Sequence, residues 1–499
     1  MEHFDVLIVG AGISGIGAAV HLKTLCPGRR WAILEARAEL GGTWDLFRYP
    51  GVRSDSDMYT LGFSFRPWTE PRAIVDGASI QQYLKDTARE HGLYEALRFD
   101  HSVRRASWSS ATARWTLTIE RRTTGQTLQM SCGFLFMCTG YYDSARGHCP
   151  AFAGVEQFRG RVIHPQQWAP DVEYAGQRVV VIGSGATAVT LVPALAKTAA
   201  HVTLLQRSPS YVLTVPAHDA WVSALRSVLR PELVARLARW RNILLGVYVF
   251  QLCRRWPGLA RKLLLRRTRR ELGPDYDVES HFSPRYAPWD QRLCIAPDGD
   301  LFQVLRSGQA SVVTDQIVTF TETGLSLQSG RQLAADLVVT ATGLELQLMG
   351  NLEISVDGCR VDAAKSLSYR GVMFSGIPNL ATCFGYTNAS WTLRSELSAR
   401  FVCRLLEYMA RHGYQQCRPR QARESDGSLP LVDFSSGYVQ RGLQRLPRQG
   451  TRAPWRVRQN YLWDRLDSSW TRWSDGSLEF SSPVAAASSG HAPREGQLV

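Results

Sequence analysis

A chain of 499 residues is too long for a single hydrophobic core, so two or three domains are expected. With 44% hydrophobic and 20% charged residues, the composition is that of a soluble globular protein and excludes a disordered or fibrous chain. The formal net charge of +14 points to nucleic acid, a membrane surface or an anionic ligand, and where the charge sits decides among them.

At the N-terminus, acidic Glu2 and Asp5 precede a short apolar run, which is not the layout of a signal peptide. Asp5 to Val9 reads as a strand, followed by Gly10-Ala-Gly12-Ile-Ser14-Gly15, a helical run to Leu25, a stop at Pro27-Gly28, and a second strand from Trp31 to Leu34. The layout returns downstream: a strand from Arg178 to Ile182, then Gly183-Ser184-Gly185-Ala186-Thr187-Ala188, a helix, and a strand from His201 to Leu205. Each is a βαβ unit opened by a glycine-rich turn. The first glycine permits the turn, the second lets backbone approach a pyrophosphate, and the third small residue lets helix pack on strand. The helix N-terminus then offers unpaired N–H groups to the phosphates. Pro193 lies within the second helix, where a kink is expected.

The ends of the second strands separate two ligands. Glu35 suits a ribose diol and repels a 2′-phosphate, whereas Arg207, followed by Ser208, offers a fork of donors that suits a phosphate dianion. FAD in the first unit and NADPH in the second is the natural assignment. Two further apolar strands end in Thr139-Gly140 and Thr342-Gly343, which suits crossings between two nucleotide domains.

Between Trp221 and Arg270, thirteen Arg and Lys residues face a single acid, Glu232, leaving +12 in that stretch. Its Leu and Trp residues recur at helical spacing around Pro231 and Pro257, so a pair or trio of helices inserted in the second nucleotide domain is expected. No nucleic-acid motif accompanies them, and either a solvated face or contact with anionic lipid fits. The best apolar run, Ile243 to Cys253, is too short to span a bilayer, for which about 20 residues are needed. Asn379 to Phe384 reads as a strand, and an amphipathic helix from about Trp391 to Arg411 stops at Gly413, its N-terminus suited to an anionic flavin edge. Beyond about Phe480 the chain turns Ser/Ala/Pro/Gly-rich, and disorder is expected. Ten scattered cysteines form no CxxC pair and no zinc-type spacing, so they read as buried thiols of a reducing cytoplasm, with no metal site.

Phe158-Arg-Gly160-Arg-Val-Ile-His164-Pro-Gln-Gln-Trp168 fits F-x-G-x-x-x-H-x-x-x-W and resembles the fingerprint of Baeyer–Villiger monooxygenases. Gly41-Gly42-Thr43-Trp44, Tyr49-Pro50-Gly51 and Asp55 resemble that family's second signature. One departure is Ala169, where the fingerprint usually continues with Pro or Asp. Arg48 to Leu61, Gly183 to Ala196, Pro288 to Cys294 and Gly385 to Trp391 resemble the ethionamide-activating branch, and the likeness reaches from the N-terminus to about Tyr461.

The resemblance implies an α/β fold of two Rossmann-like domains with a helical insertion. FAD-binding segments would be 1–148 and 345–479, NADPH-binding segments 149–208 and 290–344, the basic insertion 209–289 and a tail 480–499. It implies Arg292 as the active-site arginine, oriented by Asp55 and also touching the nicotinamide, and His164 with Trp168 as a conformational linker. FAD would meet Gly10, Gly12, Ser14, Gly15, Glu35, Gly42, Thr43, Trp44, Asp55 and Asn388. NADPH would meet Gly183 through Thr187, Arg207 and Ser208. The implied reaction consumes NADPH and O₂ and turns ketones into esters through a C4a-peroxyflavin, with sulfur oxygenation of thioamides or sulfides beside it. An S- or N-oxygenating flavin monooxygenase and a nicotinamide-sensing flavoprotein without turnover stay open. A disulfide reductase lacks its cysteine pair. The expected location is the cytoplasm, with peripheral contact at the inner membrane face left open.

Overall fold

The computed structural model describes residues 1–469 and 473–483. Each glycine motif follows a central parallel strand of its own sheet. In the first sheet, strands Trp31–Leu34, Glu2–Val9 and Thr127–Met137 run parallel. The far edge of Thr127–Met137 carries the antiparallel strand Arg114–Glu120 along its first half and the parallel strand Leu380–Thr382 along its last three residues. Val6 and Ile8 pack under helix α1 (Ile13–Leu25), while Leu7 and Val9 pack against Trp115 on the other face. Burial on both faces is why this strand is an unbroken apolar run rather than an alternating one.

The second sheet has the parallel order Ala310–Thr314, His201–Gln206, Arg178–Ile182, Leu337–Thr340 and Arg161–Ile163. Its helix α2 (Ala186–Leu195) ends two residues after Pro193, which therefore lies in the last turn. Strands Val212–Val215 and Cys294–Pro297 pair in parallel and bracket the insertion. There the basic segment forms a trio of helices, α3 (Ala220–Arg226), α4 (Pro231–Arg255) and α5 (Pro257–Leu272). Pro231 and Pro257 each open a helix, where the missing N–H has no intrahelical partner to lose. Five of the thirteen cations are paired with acids outside the segment: Arg226, Arg239, Arg241, Arg254 and Arg269 meet Glu70, Glu396, Asp219, Asp290 and Glu279.

The chain then returns to the first sheet. Helix α6 (Trp391–His412) packs its Ala399, Val402 and Leu406 into the cluster that holds α1, and Gly413 closes it at φ +70°. Helix α7 (Tyr461–Ser469) lies against α6 through Tyr461 and Leu393.

Near the end of the described residues, Leu478–Ser481 pairs with Gln416–Pro419 and sets Leu478 and Phe480 against the core around α1 and α6. The expected tail beyond that strand, 484–499, lies outside the described residues. One expectation is corrected: not all thiols are buried, since Cys149, on a connecting segment, and Cys359, at the start of the edge strand Cys359–Val361, are exposed, while the other eight cysteines are buried.

One buried group links the fold to pH. His21 on α1 is 6% exposed, has no partner for Nε2 among the described residues, and meets the edge of Phe65 at 5.5 Å. Burial, helped by Arg400, pushes its pKa from 6.5 down to about 4. The unfolded chain therefore takes up a proton that the folded chain refuses, and stability present above pH 6.5 is lost as pH falls toward about 4. The loss is about 3 kcal/mol in full. Urea midpoints of His21→Leu should fall less than those of the wild type between neutral and acidic pH, and an equal fall would place the acid sensitivity in other groups.

Candidate active site

Both glycine turns lie where strand order reverses, the place at which open parallel sheets bind ligands. Gly10 has φ +103°, and a Cβ there would stand 2.7 Å from the Cys138 carbonyl at the end of Thr127–Met137. Gly183 repeats this at φ +139° against the carbonyl of Ala341, beyond Leu337–Thr340. The two Thr-Gly strands are thus the neighbours each turn must clear. Neither α1 nor α2 has a side-chain cap, so their first N–H groups face the ligand space. Nothing lies within 4 Å of where a Gly185 Cβ would stand. These open, uncapped turns fit two dinucleotides.

Around the first turn, Gly42 comes so close to Gly12 that a Cβ on it would stand 2.9 Å from the Gly12 Cα. Thr43 and Trp44 then open a one-turn helix whose buried Asp45 is held by Arg37 at 2.6 Å and Arg48 at 3.0 Å. Glu35 is buried at the end of Trp31–Leu34 and accepts the N–H groups of Ala11 at 2.7 Å and Arg37 at 3.0 Å. Burial raises its pKa against the pull of those two bonds. Ser14 accepts the indole N–H of Trp391 at 2.7 Å, which brings the N-terminal ends of α1 and α6 together. Asn388 donates to the Gln459 carbonyl at 2.9 Å, while its own Oδ1 is buried without a partner among the described residues. Such an orphaned acceptor fits a ligand donor.

At the second turn, Ser184 pairs with Ser210 at 3.0 Å, and Thr187 reaches the buried phenol of Tyr49, whose pKa burial pushes up to about 12. Arg207 and Ser208 are exposed past the end of His201–Gln206, and Arg207 makes no ion pair with a described residue. Arg441 stands close enough to Arg207 for their charges to interact. Burial, with Arg207 adding to it, lowers the Arg441 pKa against the pull of Glu345. Nothing in the sequence distinguished Arg441 from its many neighbours of the same type.

Arg292 is delivered by an unusual turn. The Asp290 N–H donates to the Ala287 carbonyl at 3.0 Å, with Pro288 and Trp289 between them. Trp289 takes φ +72°, in the position a glycine normally fills, and strain of this kind clusters at functional sites. Three residues on, Arg292 Nε lies 3.8 Å from Asp55 Oδ2 and Nη2 lies 3.4 Å from Ser56 Oγ. Burial pushes the Asp55 carboxyl up, opposed by Arg292 and Arg53. The Asp55 loop is tied to the second sheet's side by Arg53, which pairs with Asp300 at 2.5 Å.

Arg292 forms one wall of a small cavity whose other lining residues include Tyr141, Phe384, Tyr386, Trp391 and Tyr438. Tyr141 stacks on Trp391 at 5.0 Å, and its hydroxyl meets that of Tyr142 at 2.6 Å. Sequence reading missed these aromatic residues. The available signal was position, since Tyr141 and Tyr142 directly follow Thr139-Gly140.

His164 donates from Nε2 to the Gly343 carbonyl at 3.1 Å and accepts the Gln166 N–H on Nδ1 at 3.2 Å. Both ring nitrogens are engaged, the ring lies flat over Gly147, and burial lowers its pKa. Trp168 packs edge-on against Tyr174 at 6.0 Å in the second sheet's core. The Ala169 departure leaves the turn intact, because its carbonyl accepts the Val172 N–H at 3.2 Å. Among the described residues no cluster of His, Cys, Asp or Glu could hold a metal ion.

The profile of the flavin-binding monooxygenase-like family matches residues 4–240. The FAD-containing monooxygenase EthA of Mycolicibacterium smegmatis is 48% identical over 488 residues, covering 98% of this chain and 99% of that protein. EthA of Mycobacterium tuberculosis is 52% identical over 464 residues, covering 93% of this chain and 94% of that protein. Among solved structures, an oxidized steroid monooxygenase bound to NADP aligns with a TM-score of 0.77 at 21% identity, over 96% of this chain and all of its own, a likeness of fold. With the two uncapped dinucleotide turns and these full-length relatives, the chain belongs to the family of flavin-binding monooxygenases.

Proposed function

We propose that the chain is an FAD-dependent Baeyer–Villiger monooxygenase that consumes NADPH and O₂, converts ketones to esters, and also oxygenates thioamide or sulfide sulfur. The observation that carries this reading is Arg292, set beside the half-buried Asp55 in the wall of an aromatic cavity. In this reading 1–148 with 345–479 hold FAD and 149–208 with 290–344 hold NADPH. FAD would be held by Gly10, Gly12, Ser14, Gly15, Glu35, Gly42, Thr43, Trp44, Asp55 and Asn388, and NADPH by Gly183 to Thr187, Arg207, Ser208 and Arg292. Bound FAD supplies the oxygen chemistry and NADPH the hydride.

The chain's own residues do the rest. Arg292 is always charged, so it stabilises developing oxyanion charge with no proton to manage. Asp55 fixes where that charge stands. The aromatic walls exclude water and accept an apolar substrate. His164 has no free ring nitrogen for acid–base work. Instead it ties the fingerprint loop to the Gly343 crossing, which suits a linker between moving parts.

Arg207 should decide the nicotinamide. A charge-assisted bond to a 2′-phosphate is worth about 1.5–3 kcal/mol, so Arg207→Ala should lower kcat/KM for NADPH by roughly tenfold to a hundredfold while leaving that for NADH and the bound FAD unchanged. Equal use of both nicotinamides by the wild type would contradict the assignment. Ketone-dependent NADPH oxidation with matching ester supports the reaction class; oxidation without any product would favour a flavoprotein that does not turn substrate over.

A further inference from the structure

The basic insertion carries an exposed apolar stripe among its cations. On α4, Leu233, Leu237, Trp240, Leu244 and Tyr248 recur every three or four residues and so share one side of the helix. All five are exposed, from 38% at Trp240 to 65% at Tyr248. They lie opposite Ala235 and Ala238, which α4 turns toward the protein. A helix that is apolar on its solvent side as well as its buried side needs a partner. On α5, exposed Leu259 and Leu263 share one side of the helix with Arg266 and Arg270, flanked by Lys262 and Arg267. None of these four cations, nor Arg255, pairs with an acid among the described residues, unlike the five that are neutralised from outside the segment.

We infer that the α4–α5 face docks this protein onto an anionic lipid bilayer. Leucines and aromatic rings would enter the boundary between headgroups and acyl chains, and the unpaired cations would meet lipid phosphates. Among the described residues no helix is long and apolar enough to cross a membrane, so α4 lies along the surface. Nucleic acid has no use for the leucine stripe, and a second copy would oppose one strongly basic face to another. Beside Trp240 a cleft of about 280 Å³ between α4 and α6 is lined by Arg236, Arg400 and Leu397, with Arg239 in it paired to Glu396.

The docked face lies close to the candidate active site. Ile243, on the inner side of α4, packs with Tyr386, which lines the cavity that holds Arg292. Arg254, near the end of α4, pairs at 2.8 Å with Asp290 in the turn that delivers Arg292. Apolar substrates dissolved in the bilayer would therefore reach the cavity across one helix. The docking itself does not depend on which reaction the cavity performs.

Flotation of the full-length, FAD-loaded protein tests this. It should float with vesicles of equimolar phosphatidylglycerol and phosphatidylcholine at low salt, float poorly with phosphatidylcholine alone, and release at high salt. The triple variant Leu237→Ser, Leu244→Ser, Tyr248→Ser should bind about tenfold less, with flavin absorbance and melting temperature unchanged. Lys262→Glu, Arg266→Glu, Arg267→Glu together should abolish the preference for anionic vesicles. No flotation on anionic vesicles, or undiminished flotation of both variants, overturns the proposal. So does a wild-type dimer that floats on neither vesicle and becomes a monomer in the leucine variant, which would make a second copy the occupant.

Discussion

Arg292→Ala is expected to keep its flavin and its fold and to lose oxygenated product by about a hundredfold to a thousandfold, the usual effect of removing one aimed oxyanion donor. The side chain is 37% exposed and its contacts to Asp55 and Ser56 are long, so little packing is lost with it. The turn that delivers it closes through Ala287 and Asp290, not through Arg292, and should survive. What disappears is a permanent positive charge in the cavity wall. NADPH oxidation that continues while ester falls would locate the defect after reduction. Asp55→Asn, which keeps the shape and removes the charge that positions Arg292, should fall between the variant and the wild type. Full product yield from Arg292→Ala would mean that another group carries the charge stabilisation.

Gly15→Ala should be the most damaging single methyl group in the first nucleotide unit. Its Cβ would be driven into the Gly10 carbonyl, with Cys138 Cβ at 3.6 Å behind it, and neither backbone nor sheet can yield. Helix α1 would have to lift from Glu2–Val9, at roughly 3 kcal/mol or more, and the pyrophosphate cradle would open. Protein purified without flavin and with a lowered melting temperature is the expected result. Gly17→Ala is the control, since its Cβ meets only the ring of Phe63, at 2.9 Å, and a side chain can move. Normal FAD content in Gly15→Ala would show that the turn does not hold the dinucleotide.

Much of this was legible in the sequence because the signals are local. The two βαβ units follow from unbroken apolar strands and glycine spacing. Pro231 and Pro257 mark helix starts, and Gly413 marks a helix end. Arg292 and Asp55 came from family resemblance, since no spacing separates one arginine from dozens. What stayed hidden depends on contacts distant in sequence. Tyr141 meets Trp391 only because Leu380–Thr382 pairs beside Thr127–Met137 and sets down α6 above the end of that strand. Arg441 nears Arg207 from a segment that no motif marks. The strand Leu478–Ser481 was missed because its apolar alternation, Leu478 and Phe480, is two residues long and runs straight into a Ser/Pro-rich tail. The reversed case is the basic segment, where charge counting located the insertion but could not say that five cations would be neutralised from outside it.

The central claim is that the Arg292 cavity directs oxygen to carbonyl carbon. Incubation of the purified protein with NADPH, ¹⁸O₂ and phenylacetone or 2-octanone, followed by mass spectrometry of the products, tests it most directly. An ester carrying one labelled oxygen, formed in step with NADPH consumed, is the predicted result. Sulfoxide from sulfides with no ester from any of a broad panel of ketones would contradict it and make the protein an S-oxygenating flavin monooxygenase.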